Sequence, residues 1–406
     1  MTYVSSQTYR ASIASILMAI VLSLMQVACG GGGGDSNPSA PAAGAPTNLQ
    51  AVAVGPGAAQ GTNLLYTSVV LCNPGDTASC RTIEHVLVDT GSVGLRLLAS
   101  AVPVSLKLAP RAIGNAALVE CTQFADGYSW GPLKTADLRL GGETLRSIAV
   151  QIIGDPAFAN VPADCSATGV SENTVESFGS NGVLGVGNFV SDCGALCERS
   201  SAPNVYYACG ASGCSAVPLP AAQQVQNPVA LMATHNNGVV IRLPAVDANG
   251  AVGITGSLIF GIGTEINNGL GAARVYTVNP TSGTLPITIG GVRYSGSFID
   301  SGSNAIFFPS ALPTCSTGFY CPASTQTFSA LLEGTNGNSS AFNVTVANAE
   351  ALFRDHPDFA ALPRLAGPAL GASAVDLGLP FFFGRSIYTA IEGRPTPGGV
   401  GPYVAF

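Results

Sequence analysis

Short apolar runs rich in β-branched residues alternate with turn signals along most of the chain. The clearest runs cover residues 66–71, 85–88, 149–153, 238–243, 257–260 and 285–289. Turn signals separate them at Asn73-Pro74-Gly75-Asp76, Gly141-Gly142, Asn236-Asn237-Gly238 and Gly290-Gly291. Runs of this length between Gly, Pro and Asn clusters are typical of strands joined by hairpins. The pattern therefore predicts many short strands.

Helical periodicity is scarce by comparison. The best candidates are residues 221–233, which Pro228 interrupts, and residues 347–353. The chain has 406 residues with 50 glycines and 27 prolines, and only 10% of its residues are charged. Few charges and frequent Gly and Pro suit a protein with many turns, so we predict an all-β body.

The formal charge of −7 argues against a nucleic-acid partner. No run of Lys or Arg offers the basic patch that a phosphate backbone requires. The sequence also lacks a Gly-x-Ser-x-Gly motif, so a serine hydrolase elbow is unsupported.

The first 28 residues predict a secretory signal. Arg10 precedes an apolar run over residues 13–25, which is too short to span a membrane and ends in small residues before Cys29. This arrangement resembles a bacterial lipoprotein signal with Cys29 as the lipidated residue, although Gln26 stands where leucine is usual. The alternative is an ordinary signal peptide cut nearby.

Residues 29–48 are mostly Gly, Pro, Ala, Ser and Asn, and this composition behaves as a flexible tether. We therefore expect a body held to a membrane of the bacterial envelope through lipid at Cys29. Gly30, rather than Asp, favours the outer membrane by resemblance to lipoprotein sorting rules, with the body facing the periplasm or the cell surface.

Ten cysteines remain when Cys29 is set aside, and an exported protein can oxidise them. Cys72 with Cys80, and Cys315 with Cys321, are close enough in sequence to close short loops. The spacing of Cys193, Cys197, Cys209 and Cys214 allows either a zinc site or two nested disulfides. Export favours the disulfides, so we expect no metal there.

A long repeat carries the candidate chemistry. In each copy an apolar strand enters an Asp-(Thr/Ser)-Gly-Ser tetrad, and a segment with leucine before glycine follows much later in the chain. The first copy has Asp89, Thr90, Gly91 and Ser92, followed by Leu184-Gly185; the second has Asp300, Ser301, Gly302 and Ser303, followed by Leu377-Gly378.

The repeat resembles the pepsin-like aspartic proteases over residues 60 to 406. The resemblance also extends to a little-characterised bacterial group of lipoproteins that carry the double motif. It implies two β-barrel-like lobes, residues 49–235 and 236–406, with a cleft between them. A hairpin flap is implied at Phe124, Asp126 and Gly127. Each lobe would give one tetrad to the cleft, so a monomer is expected.

The resemblance implies that Asp89 and Asp300 are a catalytic pair. Two carboxyls about 3 Å apart cannot both ionise, so they share a proton and activate water together. Such a pair requires no cofactor and no metal. The glycines would let the backbone approach the carboxylates. The Thr90 and Ser301 hydroxyls would bond across the two loops, and those of Ser92 and Ser303 would bond the outer carboxyl oxygens.

Two departures from that family leave a second hypothesis open. Arg96 stands where the family has a tryptophan, and Phe124 stands where its flap has a tyrosine. Trp130, the only tryptophan, could cover the cleft or simply pack at the surface.

The first hypothesis is an aspartic endopeptidase acting on a peptide or protein. The alternative is an inactive lipoprotein of the same fold that binds a peptide or envelope polymer in its cleft.

Overall fold

A computed structural model describes residues 47–57, 61–125, 127–369, 371 and 373–406. Cys29, the predicted signal and nearly all of the predicted tether lie outside the described residues. Strands make up 43% of the structure and helices 10%, so the all-β prediction is confirmed. Within the described ranges, no helix combines the length and apolar character needed to cross a membrane.

The first half of the chain supplies thirteen strands. They are β1 (Leu49–Val54), β2 (Leu65–Cys72), β3 (Cys80–Asp89), β4 (Val93–Leu98), β5 (Ala109–Pro110), β6 (Ala112–Ile113), β7 (Ala116–Gln123), β8 (Gly127–Leu140), β9 (Glu143–Ile153), β10 (Val170–Ser171), β11 (Gly182–Val186), β12 (Tyr206–Gly210) and β13 (Gly213–Ala216).

The second half supplies the remaining strands of the described chain. They are β14 (Gly238–Arg242), β15 (Ile254–Phe260), β16 (Val275–Thr277), β17 (Leu285–Ile289), β18 (Val292–Ile299), β19 (Ile306–Phe307), β20 (Gln326–Glu333), β21 (Ser339–Val346), β22 (Ala366–Gly367), β23 (Asp376–Leu377), β24 (Ser386–Ala390), β25 (Pro395–Thr396), β26 (Gly399–Val400) and β27 (Tyr403–Ala405).

The α-helices are short: α1 (Ala163–Ser166), α2 (Val175–Phe178), α3 (Ala195–Arg199) and α4 (Ala349–Asp355). The helix predicted near residues 347–353 is present as α4, where the Asn348 side chain caps the first turn. The helix predicted over residues 221–233 is wrong. Only 3-10 turns form there, at Ala221–Gln223 and Val229–Leu231. Pro228 lies between them and cannot donate the backbone hydrogen bond that a continuous helix needs.

The strands form one large sheet of eighteen, one of seven and one of two. The large sheet takes strands from both sides of the 235/236 boundary expected from the sequence. β1 pairs antiparallel with β15, and β14 pairs antiparallel with β24. The seven-stranded sheet runs in the order β21-β20-β17-β18-β23-β19-β22.

The same three-strand arrangement occurs once in each of the two larger sheets. β11 lies parallel to β3 and antiparallel to β4, with Gly185 opposite Asp89. β23 lies parallel to β18 and antiparallel to β19, with Leu377 opposite Ile299. Each Leu-Gly segment predicted from the repeat therefore runs between the strand that enters a tetrad and the strand that leaves it.

The strands that enter the tetrads are anchored in the hydrophobic core. Val86, Leu87 and Val88 are at most 1% exposed, and Ile299 is 7% exposed. Burying side chains of this size stabilises the fold by about 1.5–3 kcal/mol each. Both tetrads therefore begin at rigid, packed strand ends.

Five disulfides use all ten cysteines of the body. Cys72–Cys80 and Cys315–Cys321 form as predicted from their short spacing. The cluster of four forms Cys193–Cys197 and Cys209–Cys214, so the zinc alternative and the nested pairing are both wrong. The β12–β13 hairpin places Cys209 directly opposite Cys214, which favours this local pairing. The fifth disulfide is Cys121–Cys165.

Candidate active site

Asp89 and Asp300 come together although they belong to different sheets. Asp89 ends β3, and Asp300 directly follows β18. Both carboxyls are buried, with residue exposures of 2% and 3%. The backbone N–H of Gly91 lies 2.7 Å from Asp89 Oδ1 and 3.1 Å from Asp300 Oδ1. A single N–H group thus contacts both carboxyls, which places them side by side.

Two reciprocal hydrogen bonds join the loops that carry the aspartates. The Thr90 N–H donates to Ser301 Oγ at 3.1 Å, and the Ser301 N–H donates to Thr90 Oγ1 at 3.0 Å. The Ser301 hydroxyl in turn donates to the carbonyl of Val88 at 2.8 Å. These bonds cross between segments that are 211 residues apart in sequence, so they fix the separation of the two carboxyls.

The outer contacts of the two carboxyls differ. Asp300 accepts the Gly302 N–H at 2.7 Å and the Ser303 hydroxyl at 2.8 Å, in addition to the Gly91 N–H. Asp89 accepts a second N–H, from Ser92, at 3.2 Å. The Ser92 hydroxyl also acts on Asp89 and favours its ionised form, but it is not a well-directed donor like the hydroxyl of Ser303. Asp300 thus accepts three well-directed hydrogen bonds and Asp89 two. Donors of this kind stabilise a carboxylate relative to a carboxylic acid.

The glycines of the tetrads are required by close approach. A Cβ atom added to Gly91 would lie 2.7 Å from Asp300 Cγ, and one added to Gly302 would lie 2.7 Å from Asp89 Cγ. Both distances are well inside van der Waals contact, so any side chain would displace a carboxyl. The tetrads need glycine here because each backbone passes directly against the opposite aspartate.

Burial controls the protonation of the pair. Loss of hydration, the charge of Asp300 and a hydrogen bond with Asp300 raise the pKa of Asp89 from 3.8 to about 8, while Ser92 acts in the opposite direction. The two groups titrate as a unit. One shared proton is therefore held through neutral pH and leaves as the pH rises through about 8.

This raised pKa predicts a stability that falls with increasing pH. The unfolded chain releases the Asp89 proton near its ordinary pKa, whereas the folded chain holds it to about pH 8. The contribution is therefore complete below about pH 4 and is lost between about pH 4 and 8. We expect the thermal unfolding temperature to be higher at pH 5 than at pH 8. The Asp89→Asn variant should show a weaker dependence. An unchanged slope in that variant would contradict the prediction.

The predicted flap region is a hairpin between β7 and β8. The Phe124 N–H donates to the Gly127 carbonyl at 2.8 Å, and the Phe124 ring packs edge-on against Phe178. Asp126 lies outside the described residues. Trp130 is 2% exposed and packs against Tyr207, so the expected alternative of packing at the surface is wrong.

Arg96 holds the base of this hairpin through a buried ionic cluster. Its guanidinium lies 2.6 Å from Glu120 Oε1, 3.1 Å from Asp192 Oδ2 and 2.8 Å from Thr122 Oγ1. Glu120 and Thr122 belong to β7, whereas Arg96 belongs to β4, which leaves the first tetrad. The Tyr206 hydroxyl also donates to Asp192. Ionic contacts thus connect the hairpin to the strand that follows Asp89.

The sequence interpretation missed Asp376 as a member of the site. Asp376 is 7% exposed, and its pKa is raised well above the ordinary value by burial and by the charge of Asp300. A contact with the Ser303 hydroxyl acts in the opposite direction. The available signal was a lone acidic residue between Val375 and Leu377 in an otherwise apolar segment.

A known protein family matches most of the chain. No curated protein matches the chain. Residues 44–406 match a family described as "Protein of unknown function (DUF3443)", and this range includes both tetrads and every strand described above. The chain therefore belongs to the DUF3443 family of proteins of unknown function.

Proposed function

We propose that this protein is an aspartic endopeptidase of pepsin-like, two-lobed architecture. The observation that carries the proposal is the Gly91 N–H, which contacts both buried carboxyls from two repeated tetrads. The repeated three-strand arrangement around each tetrad supports it. The lobes would be residues 49–235 and 236–406, with an extended peptide lying in the cleft between them.

The asymmetry of the pair assigns the roles. Asp300 receives more hydrogen-bond donors and acts as the ionised general base. Asp89 keeps the shared proton and donates a hydrogen bond to the scissile carbonyl. Asp300 removes a proton from water, the water oxygen attacks the carbonyl carbon, and Asp89 transfers its proton to the carbonyl oxygen to give a tetrahedral diol. Asp300 then gives the proton it took from water to the amide nitrogen as the C–N bond breaks, and a diol hydroxyl returns a proton to Asp89. No covalent enzyme intermediate forms.

The direct test is a search for peptide cleavage by the purified protein between pH 3 and 8. We expect cleavage of extended peptides that a pepstatin-type inhibitor blocks, with a decline as the pH rises through about 8. Folded protein that cleaves nothing across this range would overturn the proposal.

The proposed location is the bacterial envelope, with lipid at Cys29. The sequence of residues 1–30 supports it. Metabolic labelling with a fatty acid should mark the wild-type protein and leave Cys29→Ala unlabelled. Equal labelling of the two proteins, or no labelling of either, would overturn the proposed lipid anchor.

A binding protein of the same fold is the second candidate. The pepsin-like proteases have a tryptophan where this chain has Arg96, and a flap tyrosine where it has Phe124. Here Arg96 forms a buried ion pair and Phe124 packs on Phe178, and the absence of those two side chains favours a binding protein. Tight binding of extended peptides by folded protein that never cleaves them would select this candidate.

A further inference from the structure

A third buried carboxyl lies next to the pair. Asp376 begins β23, which runs between the strand that enters the second tetrad and the strand that leaves it. Its register partners are Phe298 in β18 and Phe307 in β19. Its chain neighbours Val375 and Leu377 are completely buried. An acidic side chain here has exchanged water for apolar surroundings, which is costly for a charge.

The hydrogen bonds around Ser303 determine the state of Asp376. The Ser303 hydroxyl donates to Asp300 Oδ2 at 2.8 Å and also hydrogen-bonds to the Asp376 carboxyl. A hydroxyl has a single hydrogen. If this hydrogen pointed to Asp376, it would favour the ionised form of Asp376. It points to Asp300 instead, so the bond to Asp376 requires Asp376 to be the donor, and only a protonated carboxyl can donate.

The remaining contacts of Asp376 agree with a neutral group. Asp376 Oδ1 is buried and has no hydrogen-bond partner in the described part of the chain. The ion pairs found among the described residues do not include Asp376. The nearby titratable groups are Asp300 and Asp89, both acidic, and both disfavour a further negative charge. An ionised carboxylate would therefore lie unpaired beside two other acids.

We infer that Asp376 is a positioning residue that stays neutral, donates to Ser303 and thereby directs the Ser303 hydroxyl towards Asp300. The chain of donors runs from Asp376 through Ser303 to Asp300 Oδ2. It stabilises the ionised form of Asp300, so the shared proton resides on Asp89. This inference rests on the proposed function, because it gives Asp376 a part in setting the general base.

The first test is independent of catalysis. The protein is labelled with 13C at the aspartate carboxyl carbons, and each signal is followed by NMR against pH. The signal that disappears in Asp376→Asn is assigned to Asp376. We expect this signal to keep the shift of a protonated carboxyl from pH 3 through pH 7. Ionisation near the ordinary aspartate pKa of about 3.9 would overturn the inference, whether or not the protein cleaves peptides.

The second test uses the direction of a shift in the pH profile of kcat/KM. Asp376→Asn keeps a donor to Ser303 and should leave the acid limb nearly unchanged. Asp376→Leu removes the donor, so the acid limb should move to higher pH by about one unit. At a pH below the limb this is about a tenfold loss of kcat/KM. A charged Asp376 would give the opposite shift in both variants, because removing a negative charge favours ionisation of the pair.

The matched control is Asp137→Asn. Asp137 is also buried, at 2% exposure, but it accepts the N–H groups of Gly75 and Ser147. Its replacement should leave the profile in place. An unchanged profile in Asp376→Leu would reduce Asp376 to a packing residue and overturn the inference. Absence of cleavage by the wild type would reject the proposed function alone, and the NMR titration would then decide the state of Asp376.

Discussion

Replacing either Asp89 or Asp300 by asparagine is expected to lower kcat by about 10⁴-fold, at the upper limit of what general acid–base groups contribute. Asparagine has nearly the same shape but can neither hold the shared proton nor accept one from water. The carboxyls interact through a common N–H and a shared proton, so the double variant should be no less active than either single variant. Cleavage kinetics with a pepstatin-type inhibitor measure this.

The folded state should survive these substitutions. Both side chains are buried and accept backbone N–H groups, which an amide oxygen can also accept. Each variant has one buried carboxyl fewer to ionise as the pH rises to 8. Its unfolding temperature at pH 8 should therefore be equal to or above that of the wild type. Full activity in either variant would mean that other groups catalyse cleavage. Loss of folding would mean that the carboxyls have a structural role.

Replacing Arg96 by leucine is expected to lower the free energy of unfolding by about 3–5 kcal/mol, the usual cost of removing one partner from a buried ion pair. Arg96 is 1% exposed and lies between Glu120, which is completely buried, and Asp192. Without the guanidinium, these two carboxyls would remain buried without a counter-charge. Glu120 Oε2 already has no hydrogen-bond partner among the described residues. Denaturant unfolding measures the loss.

The control for Arg96 is Arg146→Leu. Arg146 also forms an ion pair, with Asp137 at 3.7 Å, but its side chain is 66% exposed. Exposed pairs contribute about 0–1 kcal/mol, so this variant should be nearly as stable as the wild type. A second comparison uses the double variant Arg96→Leu/Glu120→Leu. It lacks both charges, so its free energy of unfolding should be higher than that of Arg96→Leu alone. Equal stability of Arg96→Leu and Arg146→Leu would show that the buried cluster is energetically unimportant.

Local sequence patterns determined the parts of this protein that depend on neighbouring residues. Alternating apolar runs and turn residues predicted the β class, because strand period and turn chemistry are local properties. The short spacings predicted Cys72–Cys80 and Cys315–Cys321. The two tetrads predicted that Asp89 and Asp300 lie together. The glycine two positions after each aspartate marks a backbone that must approach a carboxyl closely.

Only the tertiary structure decided what depends on residues distant in sequence. It joined Cys121 to Cys165 and paired Arg96 with Glu120 and Asp192, 24 and 96 residues away. It also placed Asp376 against Ser303. The sequence shows a charged residue within an apolar run but not its partner, because burial and pairing arise only when separate strands pack. The identity of the aspartates was therefore readable in sequence, whereas their protonation was set by the fold around them.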